Sequence, residues 1–528
     1  MTPMDTIKTD VVIVGAGPTG LALASQFVRY GIDFVIVEKN EGVTPFSKAI
    51  GVQARTLEIY EQIGLAQPAV ERGAIAGKAR LLVGGEMRAE IDFSNIGAGL
   101  SPYPYMLLLE QSKNEELLYD YVQRGGKEVL WKTTLESIAP TNSSVTATVK
   151  TEGRDPQNIE AKYLVGCDGS KSVTRHTLGL EFLGSTVERM FFVADVEVDW
   201  KFSHDALHVC LSRDALLAFF PLKGDQRYRI VGSFPEEFAR DEGEVLYEEI
   251  EARIKEESKV DLDIRNVAWF STYRVHTRHV NRFSEGRCFL AGDSAHIHTP
   301  AGGQGMNTGI QDGYNLAWKL ALVLRGEAEA TLLDTYNEER LENAKNLVQS
   351  TDRAFQFLAG SEWFLAFLRT SVLPSIAKYM LGLDSVKQFV FPTISQIGIN
   401  YRHGSLSEHT GDENYAVKAG DRMPYFLVDG ESMYDKLRQP KFHLLGFSNG
   451  SSGTEQTDFE TMKANIAGRH TDWIDFHVIP LEPQVAKVFG SERSFTVLLR
   501  PDNYIGFISP DTSPGGLEIY LERFLGSS

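Results

Sequence analysis

Apolar and polar positions follow three different patterns along the chain, and each predicts a different kind of element. Val11 to Val14 are a short unbroken apolar run, as in a strand buried on both faces of a parallel sheet. Leu21 to Tyr30 then place Leu21, Ala24 and Phe27/Val28 on one helical face, and Phe34 to Val37 are a second apolar run. Together they predict a β-α-β unit. From about Arg80 to Glu110, and again from about Phe182 to Tyr273, segments such as FFVADVEV, LLAFFPL and RYRIVGSF are aromatic or β-branched and bounded by turn residues. They predict antiparallel strands of a second sheet. Gln111 to Gly125 predict a helix and Tyr163 to Gly169 a buried strand ending in a turn. Cys288 to Ala291 return to the buried-strand pattern, and Ile310 to Leu324 predict a long amphipathic helix stopped by Gly326. The polar stretch from Gly404 to Arg422 reads as a linker. Beyond it FHLLGF, DFHVIPL, FTVLLR and a terminal GGLEIYLERFL predict a small third α/β unit.

Length and charge narrow the classes. At roughly 100–200 residues per domain, 528 residues predict two to four domains. The 53 Lys and Arg against 71 Asp and Glu leave a net charge of −18, which repels phosphate backbones and anionic headgroups. Nucleic acid and membrane surfaces are therefore not expected as partners. Cys167, Cys210 and Cys288 are too few and too scattered for a disulfide framework or a zinc cluster. They fit a reducing compartment. No apolar run approaches the ~18 residues of a membrane span, and MTPMDTIKTD lacks the order of a signal peptide. A soluble, cytoplasmic enzyme is the expectation.

The chemistry begins where the first strand ends. GAGPTG puts Gly15, Gly17 and Gly20 in G-x-G-x-x-G spacing, with Pro18 and Thr19 opening the helix, and Glu38 ends the second strand. Such glycines permit a tight turn and close approach to a pyrophosphate, which then sits at the helix N-terminus. Glu38 would accept hydrogen bonds from a ribose. An acid there disfavours a 2′-phosphate, so FAD or NAD fits and NADP does not.

Two further motifs follow: GCDGSKSVTRHTLG, with Asp168 and Arg175, and GRCFLAGDSAHIHTPAGGQGMNTGIQDGYNLAWKLA. In the latter, Gly292 and Asp293 close a strand, Pro300, Gly302, Gly303 and Gly305 make a loop of little bulk, and Gly305, Met306 and Asn307 open the long helix. With all three motifs in order, the chain resembles the single-component FAD-dependent aromatic hydroxylases over nearly its whole length. The C-terminal unit makes it most similar to the phenol hydroxylase, 3-hydroxyphenylpropionate hydroxylase and polyketide hydroxylase branch. The resemblance implies a Rossmann-like α/β FAD-binding domain (1–80, 111–180 and 276–403). It also implies an inserted antiparallel-sheet substrate domain (81–110 and 181–275) and a C-terminal thioredoxin-like α/β domain (404–528). Asp293 would hold a ribityl hydroxyl, and the helix N-terminus at Gly305 would face the flavin N1–C2 carbonyl region. Gln111 would bind the ribityl-diphosphate portion, and Arg175 would support FAD and NAD(P)H. SKAIGVQARTLE resembles the family's S-R-A…R-T-L-E segment, so Lys48, Ala49 and Arg55 join the cofactor set. Lys48 stands where the family usually has arginine; it keeps the charge but loses the bidentate fork, weakening phosphate contact or shifting it to Arg55.

The resemblance also implies a reaction: NADH or NADPH, bound transiently, reduces the flavin, O2 adds at C4a, and one oxygen atom passes to a phenolic or other electron-rich aromatic substrate. The catalytic work lies with the cofactor, and no catalytic nucleophile or triad stands out. Baeyer–Villiger oxygenation or epoxidation on the same fold stays open, as does a redox-silent flavin-binding protein. A flavin halogenase is disfavoured because W-x-W-x-I-P is absent. His208, Phe219, Tyr228 and Tyr273 are candidate substrate contacts in the aromatic-rich middle, with Tyr103 and Tyr105 beside them. No metal site is expected: His296 and His298 lack a third ligand nearby, and HDALH (His204, His208) lacks the glutamate of a zinc-protease helix. The last unit holds no cysteine, so dithiol chemistry is excluded there. A homodimer stays open.

Overall fold

The continuous apolar run at Val11–Val14 becomes the inner part of strand Thr6–Val14, flanked in parallel by Phe34–Val37 and Gln157–Gly166, the latter followed by Cys288–Leu290. Val11, Val12 and Ile13 have no exposed surface, as their lack of polar alternation requires. The protein is seen here as a computed structural model that describes residues 6–212, 216–235, 244–299, 301–359, 384–411, 414–450, 459–464, 473–513 and 515–524. Helix Pro18–Tyr30 and the long helix Gly305–Arg325 pack against each other at Gly313, where an added Cβ would lie 3.2 Å from Leu23. Both end on a left-handed glycine, Gly31 and Gly326. Among the described residues no helix is long and apolar enough to cross a membrane.

The second sheet is built on two 19-residue strands, Phe182–Trp200 and Leu262–Val280, paired antiparallel. Arg227–Ser233, Leu216–Pro221, Leu207–Leu211, Lys78–Val83 and Glu86–Asp92 extend it on one side, and His296–Ile297 pairs with its other edge. Its strands reach a few residues past the expected limits at 81 and 275. Met106–Leu108, expected in this sheet, instead pairs with Gly51–Val52 and Ala74–Ala76 beside the nucleotide-binding half. One face carries Phe192, Ala194, Val196, Phe219, Tyr228 and Ile230 and is covered by helix Tyr247–Ser258. The other face turns to the first domain: Trp269 stacks on Phe46, and Arg227 donates to Glu110 Oε1 at 3.1 Å.

The third unit has the parallel pair Phe442–Ser448 and Ile474–Pro480, then the antiparallel strands Phe495–Leu499 and Ile505–Ser509 and a closing helix Gly515–Glu522. The stretch Gly404–Arg422, expected as a linker, is instead packed in place. The Tyr401 N–H donates to Gly420 O at 2.7 Å, and buried Arg422 donates to Leu100 O at 3.0 Å and Glu58 Oε1 at 3.2 Å. Polar composition suggested a spacer; the charges are there to pair across a domain boundary.

A buried ion network joins this unit to the long helix. Lys319 and Arg500 both donate to Glu339, Arg500 also donates to Asp502 Oδ2 at 2.6 Å, and Trp318 Nε1 donates to the same oxygen at 3.1 Å. Burial alone would raise the Glu339 carboxyl, but Arg500 and Lys319 overcome it and hold the pKa at about 2. Breaking such a network leaves uncompensated buried charge. Arg500→Ala should therefore destabilise the protein by about 3–5 kcal/mol, read as a lower urea midpoint. An unchanged midpoint would show that the network carries no stability. Truncation at 403 should yield aggregated protein in a solubility assay, since it uncovers Trp318 and strands Lys319 and Glu339 without Arg500.

Candidate functional site

The glycine loop is closed by contacts no side chain could share. Gly15 has φ +103°, and an added Cβ would lie 2.4 Å from the Cys167 carbonyl oxygen; at Gly20 it would lie 1.9 Å from Gly15 O. Gly17, the N-cap, is different: a Cβ there would meet nothing within 4 Å, so space is open in front of the helix N-terminus. Pro18 follows at the helix start, where no N–H is needed. Glu38 is anchored beside this opening, its Oε2 accepting from the Ala16 N–H at 2.8 Å and Oε1 from Asn40 at 3.0 and 2.6 Å. Thr19 points elsewhere. Its Oγ1 sits 2.4 and 2.3 Å from where Cβ atoms on Gly292 and Gly309 would be, locking the first motif onto the third.

In the third motif Gly292 turns with φ +65°. Its N–H donates to Asp312 Oδ2 at 2.9 Å; His296 Nε2 donates to the same oxygen at 2.8 Å, and Arg340 Nε to Oδ1 at 2.6 Å. Burial would raise the Asp312 carboxyl, but Arg340 and His296 hold it below the usual range. The next residue, Asp293, has an accessible side chain and makes no hydrogen bond among the described residues, although protein encloses it closely enough for desolvation to raise its pKa against the pull of His296 and Lys48. Asp293 is thus a crowded but reachable carboxylate, unpartnered among the described residues. The long helix opens into the same region. Its first hydrogen bond of helical type is Thr308 N–H to Gln304 O at 2.9 Å, leaving the N–H groups of Gly305, Met306 and Asn307 to face outward. Gly303 has φ +63° in the loop before it; Pro300 lies outside the described residues.

Lys48 is exposed and faces both Asp293 and Glu115. Gln111 Oε1 accepts from the Ala49 N–H at 3.2 Å, and its Nε2 donates to Glu115 Oε1 at 2.9 Å. Glu115 lies one helical turn after Gln111. It is buried, accepts the Thr44 N–H at 2.8 Å, and is pushed up to about 7 by desolvation, with Glu38 adding to the rise.

Several expected cofactor contacts are spent on the protein itself. Arg55 is fully buried and donates to Asp502 O at 2.7 Å and Glu58 Oε2 at 3.2 Å, so the charge missing from Lys48's fork is not supplied from Arg55. The Asn307 amide is saturated: its oxygen accepts from Gln53 N and Thr56 Oγ1, and its nitrogen donates to Gly51 O and Gly303 O. Only its backbone N–H is left for a ligand. The Met306 sulfur accepts from Asn114 Nδ2 at 3.7 Å. Asp168 takes Ser172 Oγ at 2.5 Å and Thr174 N at 2.9 Å, capping helix Val173–Thr177. Arg175 donates to Ser294 O at 2.9 Å and Ser170 O at 2.8 Å and lies over the Phe182 ring, so it joins the second motif to the third.

The substrate candidates divide by strand parity. Phe219 is paired with Ile230 and His208 with Phe219, while Tyr228 sits opposite Val196, which puts all three on the face covered by helix Tyr247–Ser258. There His208 lies between Trp200 and Phe202 and is held neutral by burial, at about 4. These three are core residues, and the expectation that they touch a ligand is corrected. Tyr273 pairs with Phe191 on the opposite, domain-facing side, and its hydroxyl has no hydrogen-bond partner among the described residues. Burial raises it to about 12. Tyr103 donates to Glu61 at 2.5 Å and is used there, with Tyr105 edge-on to its ring. Phe46, Trp269 and the buried bidentate pair Arg229–Asp195, both bonds 2.7 Å, complete the domain-facing side and were not foreseen. Alternation along each strand was visible in the sequence, but nothing in it said which face meets the other domain.

Two predictions separate holding from binding residues. Asn307→Ala, which removes four buried hydrogen bonds, should cost a few kcal/mol at about 1 kcal/mol each, whereas Asp293→Ala should leave the thermal unfolding midpoint level or raise it. Equal losses in the two variants would contradict these assignments. The second concerns Glu115. Because its folded pKa lies above its unfolded one, the native state holds the extra proton and stability falls as pH rises from about 4.5 to about 7. Glu115→Gln should abolish that decline and stabilise the protein at pH 8 by up to roughly 3 kcal/mol, at about 1.4 kcal/mol per pK unit. Parallel urea-midpoint profiles for parent and variant would rule it out.

Comparison with known proteins agrees with this geometry. Residues 8–351 match the family model described as an FAD binding domain. The chain is 33% identical over 526 residues to 6-methylpretetramide 4-monooxygenase of Streptomyces rimosus, covering 95% of this chain and 91% of that protein. It is 32% identical to a flavin-dependent monooxygenase of Mycobacteroides abscessus, over 94% of this chain and 97% of that protein. The solved structure of an anhydrotetracycline hydroxylase from Streptomyces rimosus superposes with a TM-score of 0.78 at 28% identity, covering 99% of this chain and 100% of that one. The glycine loop, the open helix ends and these full-length similarities lead to one assignment: the chain belongs to the family of FAD-dependent aromatic monooxygenases.

Proposed function

We propose that this enzyme takes electrons from NADH or NADPH and one oxygen atom from O2 to hydroxylate a phenolic or other electron-rich aromatic compound, held between the domain-facing side of the second sheet and the loop that carries Asp293. The observation that carries this reading is the pair of unpartnered groups on the two walls, the Tyr273 hydroxyl and the Asp293 carboxylate. The open space at Gly17, the unpartnered Asp293 and the free N–H groups at Gly305–Asn307 fit FAD. The loop Gly15–Gly20 and Glu38 would hold its adenosine and diphosphate end, with Lys48 the near cation. Asp293 would accept from a ribityl hydroxyl, and the helix N-terminus would meet the electron-withdrawing end of the ring. Bound FAD supplies the electron and oxygen transfer.

The chain's own work is to bind, orient and exclude water. Trp269 and Phe46 offer flat apolar surface on the domain-facing side, buried Phe191 packs against the Tyr273 ring, and Tyr273, protonated at neutral pH, can donate to a phenolic or enolic oxygen. The pairing of Arg278 and Ile297 joins the strand of Tyr273 to the segment that follows Asp293, so the substrate wall and the cofactor loop share one backbone frame. The relatives named for 6-methylpretetramide and anhydrotetracycline favour a fused polycyclic phenol over a single ring. Three buried, unpaired thiols suit the cytoplasm.

A panel of phenols and fused-ring phenols, screened for stimulated NADH and NADPH oxidation with mass spectrometry for a product one oxygen heavier, tests the reading. It fails if every compound gives only hydrogen peroxide or no turnover. Tyr273→Phe should lower kcat/KM roughly three- to tenfold, for a neutral hydrogen bond of about 0.5–1.5 kcal/mol, and raise peroxide release. Asp293→Ala should weaken FAD binding at least tenfold, for a charge-assisted bond of about 1.5–3 kcal/mol. Unchanged FAD affinity would remove Asp293 from the site.

A further inference from the structure

Far from the flavin region, the C-terminal unit brings two imidazoles and a carboxylate together. Strands Phe442–Ser448 and Ile474–Pro480 run parallel with His443 beside Asp475 and Leu445 beside His477. His443 Nδ1 and His477 Nε2 face each other at 3.3 Å, and a ligand atom from each of the three residues lies within 4.8 Å of the others. Two nitrogens bound at about 2.0–2.1 Å in a tetrahedron stand about 3.3–3.4 Å apart. The observed separation is that edge. His443 is fully buried, and its Nε2–H donates to Gln439 O at 3.2 Å, which fixes the tautomer and turns the Nδ1 lone pair toward His477. A ring N–H anchored on a backbone carbonyl is the usual support of a ligating histidine.

We propose that His443, Asp475 and His477 bind a divalent transition-metal ion of the Zn2+ type, with water as the fourth ligand, as a structural pin between the two parallel strands. Asp475 and Lys441 are about a quarter exposed at 28% each, which leaves an entry path. Lys441 lies 3.3 Å from Asp475 Oδ1 and neutralises it when no metal is bound, so the lysine and the cation compete. Burial favours the neutral form of both imidazoles, the form that ligates. The pin sits where the C-terminal unit meets helix Pro18–Tyr30, whose Arg29 donates to the backbone of Arg438. The expectation of no metal was drawn from His204, His208, His296 and His298; His443 and His477 are distant in the chain, and only strand register unites them.

Full-length, FAD-loaded protein, stripped with a chelator and titrated with Zn2+ by calorimetry, tests this. The expected result is one equivalent bound, with affinity reduced at least tenfold in His477→Gln and in Asp475→Asn. These partly exposed positions are chosen over buried His443, and flavin absorbance and circular dichroism check that both variants remain folded. Absence of stoichiometric uptake by the parent, or folded variants that bind Zn2+ as the parent does, would overturn the proposal.

Discussion

The carboxylate of Asp312 lies inside the protein with no exposed surface, and three donors from three segments converge on it: the Gly292 N–H, the His296 ring and the Arg340 guanidinium. A buried charge is tolerable only when paired and hydrogen-bonded, so the positions of these segments are not independent. The long helix cannot shift without moving the turn at Gly292, and that turn sets where Asp293 points. The exposed, unpartnered group of the site is thus placed by a buried, fully partnered one a short distance behind it.

The same logic repeats at the other end of the helix. Lys319 and Asn315 share Glu339 with Arg500, whose other arm reaches Asp502, and Asp502 returns a backbone carbonyl to Arg55. A residue that looked suited to phosphate is therefore a strut to the C-terminal unit. Arg422 does similar work in what composition marked as a spacer. The C-terminal unit holds no flavin motif, yet it fixes the helix whose opposite end carries the open N–H groups of Gly305–Asn307.

Between the two halves the second sheet offers one covered and one open face. Burying His208, Phe219 and Tyr228 under helix Tyr247–Ser258 leaves Phe191, Trp269 and Tyr273 to face the nucleotide-binding domain. Shifting a strand by one residue would exchange these sets, since side chains alternate with period two. Which aromatic side chains face the nucleotide-binding domain is in this sense a consequence of register.

Much of this was legible before any coordinates. Continuous apolar runs meant strands covered on both faces, G-x-G-x-x-G before a helix meant a pyrophosphate turn, and Gly292-Asp293 at a strand end meant a carboxylate where α/β proteins bind ligands. These are local signals, because the backbone conformation and the chemistry reside in the same few residues. The partners of polar side chains were not legible. Asn307, Arg55 and Asp168 carry the residue types of a binding site but spend them on Gln53, Asp502 and Thr174. The choice between a ligand and a neighbour depends on which distant segment arrives within about 3 Å. Local pattern determined the elements and the turns; only tertiary packing decided which polar groups were left unpaired, because hydrogen bonds between distant segments leave no periodic trace in the chain.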